Sequence, residues 1–435
     1  MKTYWLTLNS LLVVSLLFFP LNSWSEIDPG LEADIIKLEK KLKKLEKKDK
    51  KRNKSLNKKF NRHLDRIKFN GFISAGIASS DVDAEHVTLI DDTKNYQADA
   101  VIGFQGTFTI NPKTQAILQF VARGIDRHNV EAEWAYISHS FTPDFTVRGG
   151  RLRLPTYNIS EILEVGYAYP WIRPVPEVYN QAPFTSYYGV DFYFNKPFIF
   201  GSDILFQGMN GTDVITIGDI TLVAETMYGL YVNISKGPLT IRGGALVAAS
   251  SLDLGDPSDL ISDFGGLLTD AAALPPEQKA EFDEQLASLF TFSSLTTEFY
   301  SFGVLYDDGN LFFHAEAAKL RQLGIIPNNV SYYITMGRRF NKLMPYTIFA
   351  KQYTIDDIIF GKVTGPYIAP LANAIGFDAL EHATYSFGLR YDIMSGTTIK
   401  FQLDHLTAFD KTRGNFNSIP GNDAQIFTLS VDAVF

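Results

Sequence analysis

The sequence predicts an all-β protein: a 16-stranded antiparallel transmembrane β-barrel with an inward-folded third loop, preceded by a short α-helical coiled coil. Three observations carry this expectation. After Lys68 the apolar residues recur on every second position, in segments of about ten residues, the length that crosses a bilayer as a tilted strand. The connections between these segments alternate between short turns and long loops. Aromatic residues make up 14% of the 435, with 34 Phe and 21 Tyr, while only 20% are charged. Mean hydropathy is close to zero, and no window beyond the N-terminus holds the ~18 consecutive apolar residues of a spanning helix. Any membrane crossing therefore falls to strands.

At the N-terminus, Lys2 precedes the apolar run LLVVSLLFFP (Leu11 to Pro20) and then LNSWS, with small residues at Ser23 and Ser25. This pattern predicts a secretory signal over residues 1–25. A core helix or a lipid anchor is the competing reading, but the chain has no Cys to carry a lipid and the run is too short to span. Absence of Cys also excludes thiol catalysis and Cys-ligated metals.

Residues 26–67 read as a basic helical stem. From Lys37 to Lys68 there are 16 Lys and Arg against 4 Asp and Glu, whereas the rest of the chain after Lys68 holds 23 against 40. Leu31, Ile35, Leu38, Leu42 and Leu45 follow a heptad seam. Asp49 and Arg52 interrupt it, and Leu56, Phe60, Leu64 and Ile67 resume it after a stutter. A short coil that associates with copies of itself is expected, with a solvated single helix or flexible tether as the alternative. The lysine excess suits cell-wall polymers or lipid headgroups; in a secreted chain nucleic acid is not an expected partner.

Residues 68–435 form the barrel. Phe69, Gly71, Ile73, Ala75 and Ile77 share one face of the first strand, and Ala98, Ala100, Ile102, Phe104, Gly106, Phe108 and Ile110 one face of the second. The third follows the tight turn NPKT, and thirteen more are expected near 130–140, 145–154, 186–195, 203–210, 226–235, 238–248, 296–306, 311–320, 331–340, 343–353, 382–392, 397–407 and 423–435. The stretch 214–223 is assigned to a loop, because a seventeenth strand would leave the two ends on opposite sides. Long connections are expected at 79–97, 155–185, 211–225, 249–295, 354–381 and 408–422, on the opposite side from turns such as SFTPD, SKGP, FNKL and DIMSG. Sorting of this kind marks an outer-membrane barrel and not a secreted β-sandwich, whose loops would not sort by side. A short amphipathic helix is expected at 274–290.

With apolar parity toward lipid, the polar parity faces water. Thr384, Ser386, Gly388 and Arg390 fall on it, as do Lys400, Gln402 and Asp404, and Arg123, Arg148, Arg242, Arg339 and Lys351 are read as lumenal too. A charge on the lipid face at mid-depth would cost about 2–4 kcal/mol. The third long connection carries Pro155, Pro170, Pro174, Pro176 and Pro183 among Tyr157, Tyr167, Tyr169, Trp171, Tyr179 and Phe184. Such aromatic density needs a surface to pack on, and the inner wall is the simplest one.

GRLRLP (Gly150 to Pro155), VGYAYPWIRP (Val165 to Pro174), the sixteen-strand layout and the terminal Phe435 resemble the Gram-negative outer-membrane porin superfamily over residues 69–435. The resemblance implies a third loop that folds into the lumen and narrows it, a homotrimer, and a terminal Phe read by the barrel-insertion machinery. The stem departs from the plainest porins and is similar to the N-terminal coils of some trimeric ones. An inward loop would bring Glu161, Glu164, Arg173 and Glu177 near a wall bearing Arg148, with Arg151 and Arg153 at its start. These groups either set a transverse field that selects ions or pair with one another to pin the loop.

The expected function is passive diffusion of small hydrophilic solutes or ions across the outer membrane of a Gram-negative bacterium, with the stem in the periplasm. A structural anchor gripping the cell wall through the stem is the alternative. An enzyme is not expected: Asp404 and His405 face opposite sides of a strand, and His314 with Glu316 has no nucleophile motif beside it. No cofactor or metal is expected.

Overall fold

A computed structural model describes residues 29–64, 66–182, 184–217, 220–253, 274–280, 292–323, 328–355, 380–409 and 412–435. The expected signal at 1–25 lies outside the described residues. The chain divides into two compact units, residues 1–65 and 66–435. In the first, helix α1 spans Pro29–Leu64. Ile36, Leu38, Leu42 and Leu45 are exposed along it.

The second unit is a closed barrel of sixteen antiparallel strands, each paired with its neighbours in sequence. The strands are β1 Ile67–Ser80, β2 Val101–Asn111, β3 Thr114–Arg123, β4 Val130–Thr142, β5 Phe145–Arg153, β6 Ser186–Pro197, β7 Asp203–Ile217 and β8 Ile220–Lys236. They continue with β9 Leu239–Asp253, β10 Phe292–Asp307, β11 Leu311–Leu323, β12 Asn329–Arg338, β13 Leu343–Thr354, β14 Glu381–Met394, β15 Thr397–Thr407 and β16 Asp423–Val434. Closure joins β1 to β16, with Ala75 opposite Val431 and Ile77 opposite Leu429. Past the strand end, the Gly71 N–H donates to the Phe435 carbonyl (2.7 Å) and the Phe435 N–H to the Gly71 carbonyl (2.9 Å). The seam leaves no unpaired edge for another chain to join.

All sixteen expected strands are present, but the expected loop at 211–225 is not. β7 and β8 run on through it, Val214 pairing with Val223 and Ile215 with Leu222, so the segment lengthens two strands without adding a seventeenth. The consecutive β-branched residues Val214 to Ile217 favour extended backbone and have a partner strand to pair with, and pairing wins over a looped backbone. Of the helix expected at 274–290, residues 276–280 are helical and 281–290 lie outside the described residues. The short turns hold glycines at positive φ where the chain must reverse, as at Gly309 (φ 88°) and Gly396 (φ 80°).

The two faces differ as alternation requires. Tyr385, Phe387 and Tyr391 of β14 and Phe427, Leu429 and Val431 of β16 are exposed on the outside, while Thr384, Ser386, Lys400, Thr428, Ser430 and Asp432 are buried inside. The inner wall is not uniformly polar, however. From β7 to β13 it presents Met209, Met227, Tyr231, Leu246, Phe299, Tyr333 and Tyr346, all buried in one cluster with Leu154, Tyr157, Trp171, Val178 and Tyr179 of the connection after β5. The apolar core of this barrel is thus inside it, between that connection and one side of the wall.

Candidate functional site

The connection from Leu154 to Thr185, the third loop, has little regular structure of its own. It contains two single 3₁₀ turns, Ser160–Ile162 and Gly166–Ala168, and a one-turn helix α2, Pro176–Tyr179. Pro176 opens α2, where its missing N–H costs nothing. Most of the loop's fixings come from the wall, and they come from nearly all round it.

Near its start, Arg242 of β9 donates to the Pro155 carbonyl (2.5 Å), and the Asn158 N–H donates to Glu316 of β11 (2.8 Å). Glu161 pairs with Arg148 of β5 (3.1 Å), and Glu164 with Arg123 of β3 (2.7 Å) and Arg153 (2.9 Å). Across the barrel, Lys400 of β15 donates to the carbonyls of Gly166 (2.6 Å) and Trp171 (2.7 Å) and pairs with Asp432 of β16 (3.1 Å). Arg390 of β14 donates to the carbonyls of Tyr167 (2.9 Å) and Tyr169 (3.1 Å). Arg173 donates to Asp99 (2.7 Å) and to Thr428 (2.8 Å). Glu177 accepts from Thr384 and lies 3.2 Å from His382 Nε2, both on β14. Finally, Tyr179 donates to Glu316 (2.6 Å). Gly166 is the point of closest approach: a Cβ there would press on Asp432 and Ser74.

Apolar contacts do the rest. Trp171 is fully buried, stacked between Tyr169 (ring centroids 5.5 Å) and His314 (5.7 Å), with its edge to Tyr333 (5.9 Å). Tyr157 lies against Tyr179 (4.5 Å) and edge-on to Phe299 (5.3 Å). The loop therefore packs on the β7–β13 side. On the other side a cavity of about 390 Å³ remains, bordered by Ser74, Val101, Arg123 and Glu131 on β1–β4 and by Leu163 and Tyr169 on the loop.

Charge as well as packing fixes the loop. Burial alone would raise the Glu164 carboxyl, yet the guanidiniums of Arg153 and Arg123 outweigh it and hold the group below its usual value. Glu177 behaves likewise: burial raises it, and the bonds to His382 and Thr384 bring it below the usual value. Where the sequence left pinning and a transverse field both open, the charges of the loop are paired.

Of the expected inward residues, Arg123, Arg148, Arg153, Arg242, Arg390 and Lys400 engage the loop or its carboxylates as above, and Arg148 is also held by Asp191 (2.5 Å). Tyr167 carries the Arg390 guanidinium over its ring (4.9 Å). Three expectations fail. Arg339 lies beyond the end of β12 and pairs with Asp307 (2.5 Å), away from the loop. Arg151 does not reach the loop: it is in register with Ala135 and Tyr188, its guanidinium 5.0 Å from the Tyr188 ring and 3.9 Å from Asp213 of β7. Lys351 is outward, in register with Tyr332 and paired with Glu381 (3.4 Å). The inward set of β13 is Met344, Tyr346, Ile348, Ala350 and Gln352. Polarity misassigned this strand because the loop covers its inner face, so that face is mostly apolar.

Asp99, Glu133, Asp191, Glu316, His382 and Asp432 were not singled out, except that Glu316 was weighed as an acid–base group beside His314. Both of those now hold the loop: His314 Nε2 lies 3.0 Å from Asn158 Nδ2. One readable signal was present. β8 has apolar residues on both parities (Met227 and Tyr231 beside Tyr228 and Leu230), as a strand covered on both faces does.

No family model and no curated protein sequence matches the chain. Solved structures do. The anion-selective porin from Comamonas acidovorans superposes with a TM-score of 0.54 at 13% identity, covering 85% of this chain and 99% of its own. OmpF of Salmonella typhi, solved with daunomycin, gives 0.53 at 10% identity over 85% and 97%. OmpT lacking loop L8, an outer membrane protein of Vibrio cholerae, gives 0.51 at 9% identity over 85% and 99%. At such identities the likeness is one of fold.

Proposed function

We propose that this barrel, which has the fold of the outer-membrane porins, is a channel for passive diffusion of small hydrophilic solutes or ions, narrowed by its third loop. One observation carries the reading: the loop buries its apolar residues against one side of the inner wall and leaves a cavity of about 390 Å³, bordered by Arg123, Glu131 and Asp126, on the other. A barrel serving only as an anchor would need no such loop. Sixteen strands enclose more space than wall side chains fill, so an aqueous path follows from the strand number. The exposed aromatics outside suit lipid contact in the outer membrane of a Gram-negative bacterium.

The stem favours a homotrimer. Leu38, Leu42 and Leu45 lie exposed at heptad spacing on an isolated helix, and apolar seams of this kind are buried by copies of themselves. In this reading residues 1–25 are removed on secretion, and the lysine-rich stem stands in the periplasm with access to cell-wall polymer. Purified protein in planar bilayers is expected to insert in conductance steps, grouped in threes. A sealed membrane with no steps at any voltage would refute the channel.

A further inference from the structure

The charge preference of such a channel depends on which member of each ion pair reaches water. Four pairs, made by three inward arginines, are asymmetric in the same direction, and those of Arg123 border the cavity inside the barrel. The Arg123 side chain is 14% exposed, while its partners Glu131 and Asp126 are 50% and 42% exposed. Arg148 is 10% exposed against 45% for Glu161. Arg390 is 12% exposed against 38% for Asp392, which shares the inward face with Thr398.

The cause is geometric. Arginine's flat guanidinium and long stem are drawn into packing. Arg148 lies between the rings of Tyr136 (5.1 Å) and Tyr193 (4.6 Å), and Arg390 spends its Nη1 on two loop carbonyls. Arg123 spends its donors on Glu133 and Glu164 as well as Glu131. Guanidiniums so engaged offer few N–H groups to a passing anion. Their carboxylate partners keep free lone pairs toward the water. Lys400 with Asp432 is sealed on both sides and presents neither charge; Arg173 with Asp99 borders the cavity but is bonded within itself, with 10% and 4% of the side chains exposed. Lys68, on the inward parity and without an ion pair among the described residues, stands at the far end of β1 from the Arg123 cluster.

We propose that the channel prefers cations, and that Asp126, Glu131, Glu161 and Asp392 set the preference. This rests on the channel reading above. Water-facing carboxylates on a low-dielectric wall concentrate counter-ions locally. The test is the zero-current potential of purified protein in a planar bilayer across a KCl gradient. A potassium-to-chloride permeability ratio above one is expected, and in the Glu131→Gln/Glu161→Gln/Asp392→Asn variant it falls toward one. A wild-type ratio at or below one overturns the preference with no variant needed, and it leaves the channel standing, since the steps themselves are seen. A wild-type ratio above one that the variant does not lower overturns the assignment to these residues. If the triple variant fails to fold, Glu131→Gln alone, on an exposed side chain, carries the same comparison.

Discussion

Single side chains decide how this loop is held, and Lys400 is the clearest case. It is fully buried and serves two loop carbonyls and the buried Asp432 at once. Lys400→Met leaves Asp432 charged, buried and alone, a loss of about 3–5 kcal/mol. Lys400→Met with Asp432→Leu removes both charges and is expected to recover most of it. Urea unfolding in detergent micelles checks this; a double variant as unstable as the single one would show that the carbonyl bonds, and not the ion pair, dominate. Lys400 was legible as an inward residue, since it alternates with Phe401 on a strand of clear period. Its partners were not, because Gly166 and Trp171 lie more than two hundred residues away in sequence. Lys351 marks the opposite limit: polarity assigned it inward, and only the register with Tyr332 shows it to be outward.

Among elements, the third loop is the one whose structure is borrowed. Its 3₁₀ turns and single helical turn bury little by themselves, and its position is set by wall residues from many strands. Part of that hold is electrostatic and titrates. Glu164 and Glu177 both sit below the usual glutamate value of 4.5. Groups depressed in the folded state stabilise it above the unfolded value and lose that contribution as pH falls through the lower folded values. The hold at Glu164 and Glu177 is therefore expected to be complete at neutral pH and to be lost only below the usual carboxylate range. Limited proteolysis between Leu154 and Thr185 with an acid-active protease, compared at graded pH, measures this. Loosening that begins near pH 6 would contradict the assignment. The aromatic and proline content announced an inward loop. Which side it packs on was not announced, although the apolar inner parity of β8 was a clue.

At the scale of the whole molecule, closure is what makes sixteen strands one structure. Phe435 completes it with two backbone bonds to Gly71 beyond the last paired residue of β16. Deleting Phe435 is expected to lower the yield of folded barrel in the outer membrane several-fold more than it changes the conductance of the barrels that do form. Equal yields from wild-type and truncated chains would remove the terminal residue from assembly. The sequence by itself determined the strand number, the antiparallel order, the outward faces of the strands with clear alternation, such as β14 to β16, and the inward loop. Each of these follows from local periodicity or from composition along a short stretch. Only the tertiary structure decided that β7 and β8 extend through an expected loop, which wall the loop covers, and which charges are sealed and which meet water. Those outcomes depend on pairs between residues far apart in the chain, and alternation along one strand carries no information about what stands opposite it across the barrel.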